Sequence, residues 1–263
     1  MKPTFLFSLM ISLGAATAMA GNSQNCWITA GRDDGKFSFS WQRGECKSGD
    51  NCSEGDSTMS WSRWTGVTPA DLQREGAAID ARLKAEAGEM RCVGTVHNSE
   101  MHGAYSFTPN EEFVRQMEAL GFPNQTAQQT PQKLNDRLQG YTMLDVTIEW
   151  VKAMKDAGVQ GMTPENITGL RALGVDAKYV HGMAAAGYPE LDAGKLTGMK
   201  AVGVSPEKVQ QIRAMGYSPT QEELIQMSVV KIDAAFVERM KARGLKNLTI
   251  AQLVKIKVFK LDE

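Results

Sequence analysis

Beyond its first twenty residues the chain has no long hydrophobic run. A membrane-spanning helix needs about 20 predominantly apolar residues, so none is expected in the mature protein. An excess of one charge is missing too: 29 Lys and Arg stand against 30 Asp and Glu, for a formal net charge of −1. Without a basic stripe there is nothing to neutralise phosphates, which excludes a nucleic-acid partner and gives little attraction to anionic lipid. Histidine is scarce, with His97, His102 and His181 the only three. No Gly-x-Ser-x-Gly elbow and no His-Glu-x-x-His zinc motif occurs, so two common hydrolase constellations are absent. Cysteine is confined to Cys26, Cys46, Cys52 and Cys92, all in the N-terminal half.

What is there begins with "MKPTFLFSLMISLGAATAMA". Lys2 is a positive n-region, Phe5 to Leu13 an apolar h-region, and Ala18-Met19-Ala20 a small-x-small cleavage site. This pattern reads as a signal peptide over residues 1–20, cleaved after Ala20. The expected location is therefore periplasmic or secreted. An oxidising compartment and an even cysteine count favour two disulfides over free thiols. Three pairings are open. Cys46–Cys52 is preferred because "CKSGDNC" is a short polar turn, and it leaves Cys26–Cys92 as a long-range tie. The cysteines lack metal-finger spacing, and no cofactor is implied.

Two periodicities divide the mature chain. From residue 21 to 107, apolar residues alternate: Phe37, Phe39 and Trp41; Met59, Trp61 and Arg63; Ile79, Ala81, Leu83 and Ala85. Alternation bounded by Gly, Asp, Asn and Ser marks half-buried antiparallel strands, about five of them. One helical exception is expected at "TPADLQREG", capped by Thr68 with Pro69 in the first helical position.

From 108 to 263 the period becomes helical. Gly permits the left-handed backbone that stops a helix, and Ser or Thr followed by Pro starts the next. The fused form appears at Gly66–Pro69, Gly161–Pro164, Gly203–Pro206 and Gly216–Pro219. Aligned on the stops, Phe113-Val114…Met117…Gly121 recurs at Trp150…Gly158, Tyr179…Gly187, Lys208…Gly216 and Phe236…Gly244. Those glycines lie 37, 29, 29 and 28 residues apart. A second helix type interleaves, as in Leu196…Met199…Gly203-Val204. Its last two copies carry Lys231 and Lys260 in the glycine place, where the turns are expected to stay helical or end differently. Each expected stop pairs an apolar residue four before Gly with one just after it, the contact a Schellman stop requires. Helices this short are not stable alone in water, so repeats of about 28–29 residues must stack. The fold class is α+β: a small disulfide-tied antiparallel β domain, then tandem short-helix repeats as an array or bundle.

The segments "AEAGEMRCVGTVHNSEMHGAYSFTPNEEFVRQMEALGF" and "GVDAKYVHGMAAAGY" resemble the extracytoplasmic region of bacterial beta-lactam-sensor-like membrane metallopeptidase proteins and their standalone relatives. The resemblance implies an envelope sensing or interaction module. This chain departs from those proteins in lacking their transmembrane helices and zinc motif, so the peptidase activity does not carry over.

The expected function is an exported, non-enzymatic module presenting a surface to an unknown protein or peptide in the cell envelope. Contact residues would be Trp61, Trp64 and Tyr105 where the sheet exposes an aromatic; otherwise these are sheet core. The alternative is an envelope hydrolase or metal-binding protein using the His97-Glu100-His102 loop.

Overall fold

A computed structural model describes residues 24–31, 35–43, 53–123 and 130–261. The signal peptide over 1–20 and the expected Cys46–Cys52 pair lie outside the described residues. Within them, six strands precede ten helices, an α+β arrangement. The strands are β1 (Gln24–Ala30), β2 (Lys36–Arg43), β3 (Ser53–Ser60), β4 (Ala78–Ala85), β5 (Gly88–His97) and β6 (Glu100–Pro109). They form one antiparallel sheet in the order β3-β2-β1-β6-β5-β4. By compactness the chain divides into two units. One takes the described residues up to Trp61 with Thr68–Ile79 and Cys92–Tyr105, and the other takes Ser62–Val67, Asp80–Arg91 and everything from Ser106.

In the first unit Cys26, Ile28, Phe37, Phe39, Met59, Cys92, Val96 and Met101 are buried. That is the alternation read from the sequence. The Cys26–Cys92 disulfide joins β1 to β5, although β6 lies between them. Strands two places apart in a flat sheet are about 9.6 Å apart, whereas these Cα atoms are 6.0 Å apart. The sheet must therefore curl sharply across β6. Two glycines make the curl possible. A Cβ on Gly94 would land on the His102 carbonyl oxygen, and one on Gly103 would land on that of Val93. The β5–β6 hairpin turns through Asn98 and Ser99, whose φ values of 53° and 64° give the turn the right twist for a tight hairpin.

The alternation through Met59, Trp61 and Arg63 does not survive. β3 stops at Ser60, and Trp61–Arg63 forms a 3-10 turn. This turn lets Trp61 lie against Phe37, with ring centroids 4.4 Å apart. "TPADLQREG" also yields only a 3-10 turn, Asp71–Gln73. There the Thr68 hydroxyl and N–H both donate to the Asp71 carboxylate, an arrangement that closes the turn on itself.

The helices of the second unit are α1 (Glu111–Ala119), α2 (Pro131–Leu144), α3 (Ile148–Asp156), α4 (Pro164–Ala172), α5 (Ala177–Ala185), α6 (Ala193–Ala201), α7 (Pro206–Ala214), α8 (Gln221–Val229), α9 (Ala234–Ala242) and α10 (Ile250–Val258). All but α2 have nine residues. Odd-numbered helices pack on odd and even on even, as in α3 on α5 and α4 on α6. The unit is thus a two-layer stack of helix pairs with one continuous core.

Every helix stops in the same way. Phe122 N–H donates to Met117 C=O, Val159 to Met154, Val175 to Leu170, Tyr188 to Met183 and Val204 to Met199. Lys231 and Lys260 were expected to avoid this form, yet their φ values are 57° and 52°. Ile232 N–H bonds Met227 C=O and Leu261 N–H bonds Ile256 C=O across them. The stacked repeat overrides the local penalty of about 1–2 kcal/mol for a side chain in that backbone region. Asp145, φ 56°, is a further stop of this kind, joining Val146 to Tyr141. It makes α2 the first even member of the series.

The starts differ in one place. Thr163 and Ser205 cap α4 and α7 with Pro at the first helical position, as the sequence suggests. Ser218-Pro219 does not start α8. Thr220 does, because Thr220 and Glu223 bond each other's backbone N–H groups reciprocally. Pro219 stays in the loop, where its carbonyl accepts the Tyr188 hydroxyl at 2.5 Å.

Candidate functional site

The phase that buries Cys26 and Ile28 sends Trp27 to the opposite, solvent-facing side of β1. Ser38, Ser40 and Gln42 take the same side of β2, between buried Phe37, Phe39 and Trp41. Register then aligns them. Trp27 lies opposite His102 on β6 and Ser40 on β2, and Ser40 lies opposite Asp56 on β3. A transverse row His102–Trp27–Ser40–Asp56 so crosses four strands. Two residues along, Asn25, Gln42 and Glu54 form the neighbouring row.

Side-chain size turns this row into a groove. Trp27 is tall, Ser40 is short, and the two acidic side chains rise beyond it. The cavity holds about 430 Å³ and is lined by Trp27, Ser40, Trp41, Gln42, Glu54, Gly55 and Asp56. Such a volume falls within the usual range for small-ligand and side-chain sites, about 300–1,000 Å³. Gly55 is there for space: a Cβ would come within 2.7 Å of the Trp41 indole nitrogen. That indole stacks on Tyr105 beneath, with centroids 5.7 Å apart and planes inclined by 21°.

The walls are braced from outside the groove. His102 meets Trp27 edge-on, centroids 6.5 Å apart at 86°, and its Nε2 lies 3.3 Å from the Glu100 carboxylate. Ser38 Oγ donates to Asp56 Oδ1 at 2.9 Å, which fixes the rotation of that carboxylate. The arrangement offers an aromatic face, two carboxylates, a hydroxyl and an amide. None of the lining residues is Lys or Arg.

His97 belongs elsewhere. Its Nδ1 is 2.9 Å from Glu75 and its Nε2 is 3.1 Å from the Thr95 hydroxyl. Glu75 also accepts the Asn98 N–H, and these contacts hold its carboxyl below the usual range, the His97 hydrogen bond foremost. The two histidines of "HNSEMH" thus have separate carboxylate partners, Glu75 for His97 and Glu100 for His102. Among the described residues no group of three His, Cys, Asp or Glu side chains is placed to hold a metal ion. Trp64 and Tyr105 are buried and present no ring to a partner, while Trp61 is half-buried against Phe37. Ser205 and Lys208 have the spacing of a Ser-x-x-Lys nucleophile motif, but Ser205 Oγ accepts the Lys208 backbone N–H as a helix cap. Burial alone lowers the Lys208 ammonium pKa.

Trp27, Ser40, Gln42, Glu54 and Asp56 escaped sequence reasoning. The signal was present in "CWIT" and "FSFSW", where the out-of-phase residues are an indole and two serines. Only the pairing register shows that they share a row.

No family model, no curated protein and no solved structure matches this chain.

Proposed function

We propose that this protein is an exported, non-enzymatic module of the bacterial envelope that binds a protein or peptide partner through the outer face of its β unit. The observation that carries the reading is the transverse row His102–Trp27–Ser40–Asp56, a braced aromatic wall facing two carboxylates across an open groove. Export is supported by the N-terminal pattern and by the Cys26–Cys92 disulfide, since such bonds persist in oxidising compartments. The helical repeats supply a stacked scaffold. The order of a β region and tandem helices is the one that the resemblance to extracytoplasmic sensor regions implies, and the sensing role is proposed on that footing.

Panning a random-peptide library against the immobilised mature chain tests the reading. Peptides are expected to enrich on the wild type and to be lost on Trp27→Ala. Failure to enrich any peptide, or enrichment indifferent to Trp27, refutes it. The export element is checked separately: protein recovered from the cell envelope or medium should begin at Gly21.

A further inference from the structure

We propose that the C-terminal end of the helical stack, formed by Val229, Lys231 and Val258 to Leu261, docks on the surface of an anionic lipid bilayer. Exposed apolar side chains are concentrated there. Among the described residues the exposed large hydrophobics are Val93 and then Val229, Leu245, Val258, Phe259 and Leu261, the last five all from the end of α8 onward. The repeat shows that exposure is not the ordinary state of these positions. The residue after the stop is buried at Val175, Val204 and Ile232, but its counterpart Leu261 is 65% exposed. The residue before the stop is partly buried at Val202 and Val230, whereas Phe259 is 69% exposed. α8 packs on α10, and Val229 and Val258 both stand two residues before a stop, so equivalent turns bring them to the same edge.

Cations frame that edge. The stop residues are Lys231 and Lys260, where α4 and α6 have Gly174 and Gly203. Each Lys occupies a left-handed position that Gly takes without strain, so the chain keeps two ammonium groups there at a cost in stability. Both are exposed, and neither enters an ion pair with another described residue. Residues 231–263 hold eight Lys and Arg against four Asp and Glu, in a chain with 29 against 30. Two of those acids are engaged: Asp233 accepts the Phe236 N–H, and Glu238 lies 2.7 Å from the Lys241 ammonium. The near-zero net charge of the whole chain conceals this segregation, and attraction to lipid depends on charge within a Debye length of the surface.

Projection decides the class of partner. Side chains that protrude from turns need matching pits in a protein, whereas a fluid layer fills around them. Phe259 and its apolar neighbours can enter the headgroup–acyl boundary, about 5–10 Å deep, while flexible Lys stems keep their ammonium groups among the phosphates. Symmetric docking of a second copy would bring like charges together at Lys231 and Lys260.

The test is co-sedimentation of the full mature chain with vesicles of phosphatidylcholine alone, or of phosphatidylcholine and phosphatidylglycerol in equal parts. Binding to the anionic vesicles is expected to be at least about tenfold tighter and to weaken as salt is raised. Phe259→Ser should weaken it about tenfold through lost insertion. The double variant Lys231→Gly, Lys260→Gly should weaken it about twentyfold, from roughly fivefold per cation. Its thermal midpoint should stay level or rise, because both turns favour Gly, and this separates docking from folding. Val93→Ser, on the β unit, should change nothing. Equal binding to both vesicles, no binding to either, or anionic binding indifferent to Phe259→Ser or to the double variant would each overturn the inference. So would a concentration-dependent dimer that Phe259→Ser abolishes while vesicles go unbound, which would assign the edge to a second copy.

Discussion

The two compact units hold themselves together over different distances along the chain. In the helical unit each stop is made within six residues, as from Met199 to Val204, and each cap within four, as from Asp192 to Lys195. In the β unit the decisive links are remote: Cys26 and Cys92 are 66 residues apart, and β1 pairs with β6 across most of the unit's sequence. Local links cost little loop-closure entropy; remote ones cost more and need strong ties. The comparison teaches that a covalent bond is placed where contact order is high, and recurring backbone turns suffice where it is low.

Breaking the tie is the largest test of that difference. Replacing both Cys26 and Cys92 by Ala should cost the β unit about 4 kcal/mol, from the loop it closes. Denaturant unfolding followed by tryptophan fluorescence would show the loss, while the helical far-ultraviolet signal should persist at the same denaturant. Next comes Gly103→Ala, which sets a methyl against the Val93 carbonyl and the Gly94 Cα. About 1–3 kcal/mol is expected from crowding, read as a lower midpoint for the same transition. The helical counterpart is gentler: at Gly203, φ 71°, a Cβ meets nothing within 4 Å. Gly203→Ala therefore carries only the backbone penalty, about 1–2 kcal/mol, visible in the helical melt. Lys231→Gly should do the opposite and stabilise by about 1 kcal/mol; a neutral or destabilising result would show that Lys231 contributes a contact of its own. The smallest effect is expected from Lys200→Met, which removes an ammonium 4.3 Å from the Tyr179 ring centroid and should cost about 0.5–1 kcal/mol.

Legibility followed the same division. The apolar pairs around each helix stop could be read from single residues because both members lie within one short window. Lys231 and Lys260 were harder, since propensity disfavours the backbone that tertiary stacking imposes. Pro219 misled because Ser-Pro is a good start signal, and only the reciprocal Thr220–Glu223 bonds show that the helix begins two residues later. In the β unit, alternation identified which residues face inward, and the long-range disulfide followed from pairing off the cysteines. The curl at Gly94 and Gly103 and the row from His102 to Asp56 depend on register, which no local pattern specifies. The candidate site lies on the face that alternation marks merely as polar.

Within the helical unit, one pair of positions changes in concert down the stack. Arg171 lies over Trp150, Lys200 over Tyr179 and Lys257 over Phe236, each pair contributed by the two helices of one repeat. In the α7–α8 pair the ring position is Lys208 and the cation position is Ser228, so two positive charges never meet. Trp150 and Tyr179 also donate to the carbonyls of Val175 and Val204, and burial pushes the Tyr179 phenol up to about 12. Three of the helix pairs, α3–α4, α5–α6 and α9–α10, therefore carry their own matched lock. A copied or transplanted pair would arrive with that lock intact, which makes the hairpin, rather than the single helix, the natural module for lengthening or shuffling this chain.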